Sequence, residues 1–203
     1  MKKNYATKIL TALTFLFFQL GFSQTTTWTG ASWDNGVPTI TVDAIISSGT
    51  CPILVDTEVK SIIIQDGAVL SVDESITLTI QDNIQVLGSG QFIVNNNASI
   101  LQNNASAVNV GNITYSRDAM PMRQFEFTYW GSPVAGQVLN VFSPLTLSDK
   151  FYSYNANVGV NNWVIENQNN VMTPGKGYAI RAPQGYTSTP QVFSGQFVGT
   201  PNN

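Results

Sequence analysis

The chain reads as all-β: a short right-handed β-solenoid with about 22 residues per coil, followed by a β-sandwich or jelly-roll-like module. Three observations carry this. Ile62, Ile64, Leu70, Val72, Ile76 and Leu78 recur at a constant offset as Ile84, Val86, Phe92, Val94, Ala98 and Ile100, within short runs that alternate apolar and polar side chains. Stacked coils require that pattern, because each inward side chain must meet its equivalent one rung away. Corner positions repeat as well, Asp73 answered by Asn95 and Asp82 by Asn104. Beyond Arg117 the echo stops, and most of the prolines and aromatics follow in strand-length runs separated by turns.

Residues 1–23 read as a secretory leader. Lys2, Lys3 and Lys8 precede an apolar run over residues 9–20, and Gly21-Phe22-Ser23 forms a small-residue cleavage box before Gln24. That run falls well short of the ~20 residues that span a bilayer, so no membrane span is expected in the mature chain. Cleavage near Ser23-Gln24 leaves a mature chain with six basic and twelve acidic side chains, a net charge of −6. Nucleic acid is excluded as a partner, since displacing its counterions needs clustered Lys and Arg. Residues 61–116 contain neither.

Residues 24–45 are assigned as an N-terminal cap. Trp28 and Trp33 lie here, with the Asn35-Gly36 turn expected between two short aromatic-bearing strands. Two indoles could serve as ligand platforms, but the open apolar end of a first coil needs a cover, and the cap is the preferred reading. Residues 46–116 form the coils, with runs centred on Ile64, Val72, Leu78, Val86, Val94 and Ile100, three short strands to a turn. The register extends upward to Val108, placed over Val86, and downward to Val42, placed under Ile64. The corner Asx residues read as a structural ladder. Asn95-Asn96-Asn97 lacks the Gly-rich, Asp-bearing pattern of calcium-binding repeats.

Cys51 has no disulfide partner and the chain has no histidine, which closes off zinc and copper sites built on sulfur and imidazole. Cys51 reads as a small buried apolar side chain rather than a reactive thiol. Polysaccharide cleavage on a solenoid sheet needs clustered carboxylates with a basic partner. Here Asp66, Asp73, Glu74 and Asp82 fall mostly at corners. The chain is therefore read as no enzyme, with no catalytic residue, cofactor or metal site.

Residues 117–203 form the second module, with strands expected at 124–129, 149–154, 162–165, 177–182 and 191–198 and no helix of useful length. The module reads as incomplete where the chain stops at Asn203. Tyr129, Trp130, Tyr152, Tyr154, Trp163, Tyr178 and Arg181 are candidates for a sugar-stacking face, because flat rings with a polar rim suit carbohydrate C–H surfaces. The preferred reading of the same residues is a sandwich core with Tyr hydroxyls reaching the surface. Pro174-Gly175-Lys176-Gly177 lacks the remaining parts of a phosphate loop and reads as a turn feeding a strand.

Several motifs together resemble the large secreted surface proteins of Bacteroidetes, especially flavobacteria. These are Thr27-Trp28-Thr29-Gly30 with Trp33 and Asn35-Gly36, then Phe127-Thr128-Tyr129-Trp130-Gly131-Ser132-Pro133-Val134, Phe151-Tyr152-Ser153-Tyr154, and Gly175-Lys176-Gly177-Tyr178-Ala179-Ile180-Arg181-Ala182-Pro183. The leader ending Phe22-Ser23-Gln24 is similar to theirs too. The resemblance implies type IX secretion to the cell surface or medium and an adhesin-like role. Members usually end in a C-terminal sorting domain that is not read here, so the chain is expected to be an N-terminal portion. The expectation is thus a non-enzymatic extracellular module, structural or adhesive, whose partner is a surface glycan or another surface protein. The alternative is a carbohydrate-binding accessory region of a secreted polysaccharide-degrading enzyme.

Overall fold

The computed structural model describes residues 24–157, 159 and 162–203; the leader assigned to residues 1–23 lies outside them. Eleven strands build the coils: β1 (Gln24–Thr29), β2 (Val42–Ser48), β3 (Thr50–Ile53), β4 (Thr57–Val59), β5 (Ile62–Ile64), β6 (Val69–Val72), β7 (Thr77–Ile80), β8 (Ile84–Val86), β9 (Gln91–Val94), β10 (Ser99–Gln102) and β11 (Ile113–Asp118). They stack as three parallel ladders, β1-β2-β5-β8, β3-β6-β9-β11 and β4-β7-β10.

In the middle coils the echo in the sequence is the physical register. Ile62 pairs with Ile84, Ile64 with Val86, Leu70 with Phe92, Val72 with Val94 and Leu78 with Ile100. Alternation sends these side chains inward, where Ile64, Val72, Ile80, Ile84 and Val94 are fully buried. Each removes about 1.5–3 kcal/mol worth of apolar surface from water.

The register drifts at both ends. Ile64 lies over Ile46 rather than Val42, and Val42 pairs instead with Gln24. At the top, Gln85 bridges Val110, while Val108 is 74 % exposed. Corner length is the reason: Ile46 lies 18 residues before its partner Ile64, Thr50 19 before Val69, Thr57 21 before Leu78 and Ile62 22 before Ile84, so three short corners build the drift below, while above, Val110 lies 25 after Gln85. Gly49 has φ +64°, and a Cβ there would stand 3.0 Å from Gly30 Cα on the rung below, so only glycine makes this corner.

Corner side chains bond from rung to rung. The Ser89 amide and hydroxyl both donate to Asp66 Oδ1 (2.6 and 2.7 Å), Asn104 donates to Asp82 (3.0 Å) and Asn97 to Glu74 (3.2 Å). Asn95 reaches Ser71 Oγ at 3.3 Å, and Asp73 accepts from the Glu74 amide.

The lower end of the apolar column is closed by Trp33 and Pro38, which with Ile46, Ile53 and Leu78 enclose a residual void of about 10 Å³. Trp28 packs edge-on against Trp33 at 5.6 Å. The outer edge of β1 is covered by its own chain: the Thr27 amide donates to Asp34 Oδ1 (2.7 Å) and Asn35 Nδ2 to the Thr25 carbonyl (3.1 Å). Side chains thus take the places a further strand would occupy.

β11 belongs to both halves. One side runs parallel to β9, and the other pairs antiparallel with β17 (Ser194–Pro201), which in turn pairs with β13 (Val134–Ala135). A second antiparallel sheet follows the order β12-β16-β14-β15, built from β12 (Phe127–Trp130), β16 (Tyr178–Arg181), β14 (Phe151–Tyr154) and β15 (Trp163–Ile165). The single-turn helix α1 (Leu139–Phe142) buries Leu139 and Phe142. Phe142 stacks on Phe197 of β17 at 4.3 Å and meets Trp130 of β12 at 4.9 Å. One continuous apolar cluster therefore runs from Ile46 in the first coil to Tyr178 and Ile180 in the second sheet. Among the described residues no helix is long and apolar enough to cross a membrane.

Candidate functional site

The site stands on the outer face of the β12-β16-β14-β15 sheet. Strand alternation sorts its residues by parity. Trp130, Tyr178, Ile180 and Phe151 face inward and are buried, while Phe127, Tyr129, Tyr152, Tyr154, Trp163, Ala179 and Arg181 share the other face. Cross-strand pairing places Ala179 between Tyr129 and Tyr152, and its short side chain leaves a floor between their rings. Phe127, Tyr129, Tyr152 and Trp163 wall an open cleft of about 360 Å³ over that floor.

The rings hold one another. Phe127 meets Tyr152 edge-on at 5.7 Å, Trp163 meets Tyr154 edge-on at 5.3 Å, and Tyr129 inclines at 31° to Trp163 with centroids 6.4 Å apart. Mutual packing of this kind limits rotamer freedom, so a ligand would meet a partly ordered surface. Tyr129 is 73 % exposed and Trp163 48 %. Asn162 Nδ2 donates to the Tyr154 hydroxyl at 3.0 Å, adding a polar group beside the rings.

Of the residues proposed from sequence, Tyr129, Tyr152, Tyr154, Trp163 and Arg181 are brought together on this face. Trp130 and Tyr178 are not. Each is next in sequence to an outer-face residue and so points the other way. Trp130 is 9 % exposed among Phe142, Phe193 and Phe197, and Tyr178 is 2 % exposed with its hydroxyl accepting from the Thr173 amide. Both are core residues. Phe127 and Ala179 complete the cleft and were missed, although counting two positions back from Tyr129 and from Arg181 would have found them.

Behind the sheet, Glu166 is held by Lys176, Ser153 and Asn170, the lysine at 2.5 Å. Burial pushes its carboxyl up, but those hydrogen bonds outweigh burial and leave it below the ordinary 4.5. Lys176, in the Pro-Gly-Lys-Gly turn, also lies 5.1 Å from the Tyr178 ring centroid, so this turn clamps β16 to its neighbours. Cys51 is fully buried in the lower coils, and burial raises its thiol to about 12, where it remains protonated at neutral pH. Asp66, Asp82 and Glu74 are engaged in the corner ladders. Among the described residues no group of three or more His, Cys, Asp or Glu could hold a metal ion.

No curated protein and no solved structure matches the chain. A family model does, over residues 21–203, which takes in every coil and both sheets of the second half. By that match the chain belongs to the family described as a domain of unknown function, DUF8693.

Proposed function

We propose that this protein is a non-enzymatic, exported surface protein with an adhesive or structural role, in which the solenoid acts as a rigid mount for the aromatic face. One observation carries the reading: the rings of Phe127, Tyr129, Tyr152 and Trp163 stand open on a sheet whose reverse side is packed into the same core as the coils. Clustered exposed aromatics disfavour solubility, and such patches mark interaction sites. The leader pattern of residues 1–23 and the resemblance to secreted Bacteroidetes surface proteins support export, with type IX secretion as the route.

A second reading, a carbohydrate-binding accessory region of a secreted polysaccharide-degrading enzyme, is favoured by the shape of the cleft. Flat rings around an alanine floor suit the C–H faces of a pyranose, and the partner is then a surface or matrix glycan rather than another surface protein.

Retention of purified protein on intact cells and on a glycan array tests both. Trp163→Ala is expected to cost about 0.5–1.5 kcal/mol in unfolding, because the half-exposed ring gives up its contacts with Tyr129 and Tyr154 but no core packing. It should weaken retention about tenfold through lost stacking. Undiminished retention by this variant would remove the face from the function, and release of new reducing ends from any bound polysaccharide would overturn the non-enzymatic reading.

A further inference from the structure

We propose that the aromatic face takes a carboxylated polysaccharide, a chain of uronate units, with Arg181 as the residue that selects the carboxylate. The inference rests on the glycan reading above.

Six basic residues lie beyond Ser23, and five have acceptors. Lys60 pairs with Asp43 (3.1 Å), Arg123 with Glu126 (3.5 Å), Lys150 with Asp149 (2.6 Å) and Lys176 with Glu166 (2.5 Å). Arg117 donates to the carbonyls of Asn95, Ala98 and Ser116 and to the Tyr115 hydroxyl. Arg181 differs: among the described residues its guanidinium makes no ion pair or hydrogen bond, and its Nε is shut from solvent without an acceptor. Asp149 feels the charge of Arg181 but is itself hydrogen-bonded to Lys150. Its two Nη groups are neither enclosed nor hydrogen-bonded, so they are the donors that an incoming acceptor can meet.

Arg181 stands next to the cleft without lining it. Arg181 pairs across the sheet with Phe127, one wall of the cleft, and lies two positions beyond Ala179, its floor. Two strand positions span ~7 Å, a separation that a sugar ring and its exocyclic carboxylate can bridge. The guanidinium carbon sits 5.4 Å from the centroid of Phe125, an exposed ring whose residue has φ +72°. This cation–π contact holds the guanidinium beside the ring and leaves the Nη donors at its edge free. A planar carboxylate can occupy such an edge with two parallel hydrogen bonds, a match that neutral sugar hydroxyls do not make. The rest of the chain is acidic, so nonspecific attraction of polyanions is disfavoured and selectivity must come from this local cation.

The test compares polygalacturonate with the same polymer after carboxyl reduction, by calorimetry at two salt concentrations, using wild type, Arg181→Met, Arg181→Lys and Trp163→Ala, each checked for native melting. Wild type is expected to bind the acidic polymer roughly tenfold more tightly than the reduced one, with both Arg181 variants losing that difference and Trp163→Ala weakening both ligands. Equal binding of the two polymers, with Arg181→Met silent, would overturn carboxylate selection and leave the glycan reading standing. Dextran sulfate competing as well as polygalacturonate would also overturn it, by reducing recognition to charge. Binding of neither polymer by folded protein would take down the glycan reading and this inference together.

Discussion

In the coils, the side chain above an inward isoleucine is another inward aliphatic one rung away, and the outward positions carry polar groups such as Ser71, Thr79 and Gln85 or single aliphatics such as Ile63, Ile93 and Leu101. In the second half the same two-residue alternation runs along β12, β14 and β16, yet both faces carry large rings, Trp130 and Tyr178 on one and Tyr129 and Tyr152 on the other. Closure explains the difference. Three sheets facing a common axis give the coils one interior, whereas the second sheet has its inner face against β17 and α1 and its outer face against solvent. Rings on the outer face contribute little to the core, which makes them available for binding.

Truncation on the two sides of that divide should separate most strongly. Phe92→Ala empties a position 1 % exposed in the coil column and is expected to cost about 3–5 kcal/mol in urea unfolding, while Tyr129→Ala, 73 % exposed, should cost about 0.5 kcal/mol. Because β11 joins both halves and the core is continuous, unfolding should follow one transition by every probe. Two transitions would show the halves to be independent.

Acid should probe the second half next. The carboxyl of Glu166 sits below its ordinary 4.5 in the folded protein, so its contribution is complete above that pH and is lost as the pH falls through the folded value. Glu166→Gln is expected to cost about 1–3 kcal/mol at neutral pH, measured by thermal melts, and to flatten the fall in stability below pH 4.5. A variant whose acid profile matches wild type would show that the Lys176 clamp carries no stability.

The smallest effect belongs to the coils. With its thiol at about 12 and no exposed surface, Cys51 should react with a disulfide reagent at neutral pH only at the rate of unfolding, and at once in denaturant. Rapid labelling of native protein would mean that the lower coils open locally.

How far the sequence could be read differs in the same way. The pairings Val86 over Ile64 and Val94 over Val72 were legible because a repeat prints its own register twice. Val42 and Val108 were misplaced because a fixed period assumes equal corners, whereas the first coil is shorter than 22 residues at Ile46–Ile64 and the last is longer at Gln85–Val110. In the second half, parity alone separates Tyr129 from Trp130, but nothing local says which of the two is covered. Arg181 gave no signal of its lone charge, since a cation without an acceptor can be recognised only when every neighbour is placed.

The sequence by itself determined the coil period, the inward columns and the all-β character, because those follow from the spacing of side chains along one strand and its nearest copy. Only the tertiary structure decided that β17 returns to pair with β11, that Trp130 and Tyr178 are core, and that an aromatic cleft faces solvent with Arg181 paired across the sheet to its Phe127 wall. Those outcomes depend on which sheet packs against which, a choice made by contacts between residues such as Phe142 and Phe197 that lie far apart along the chain.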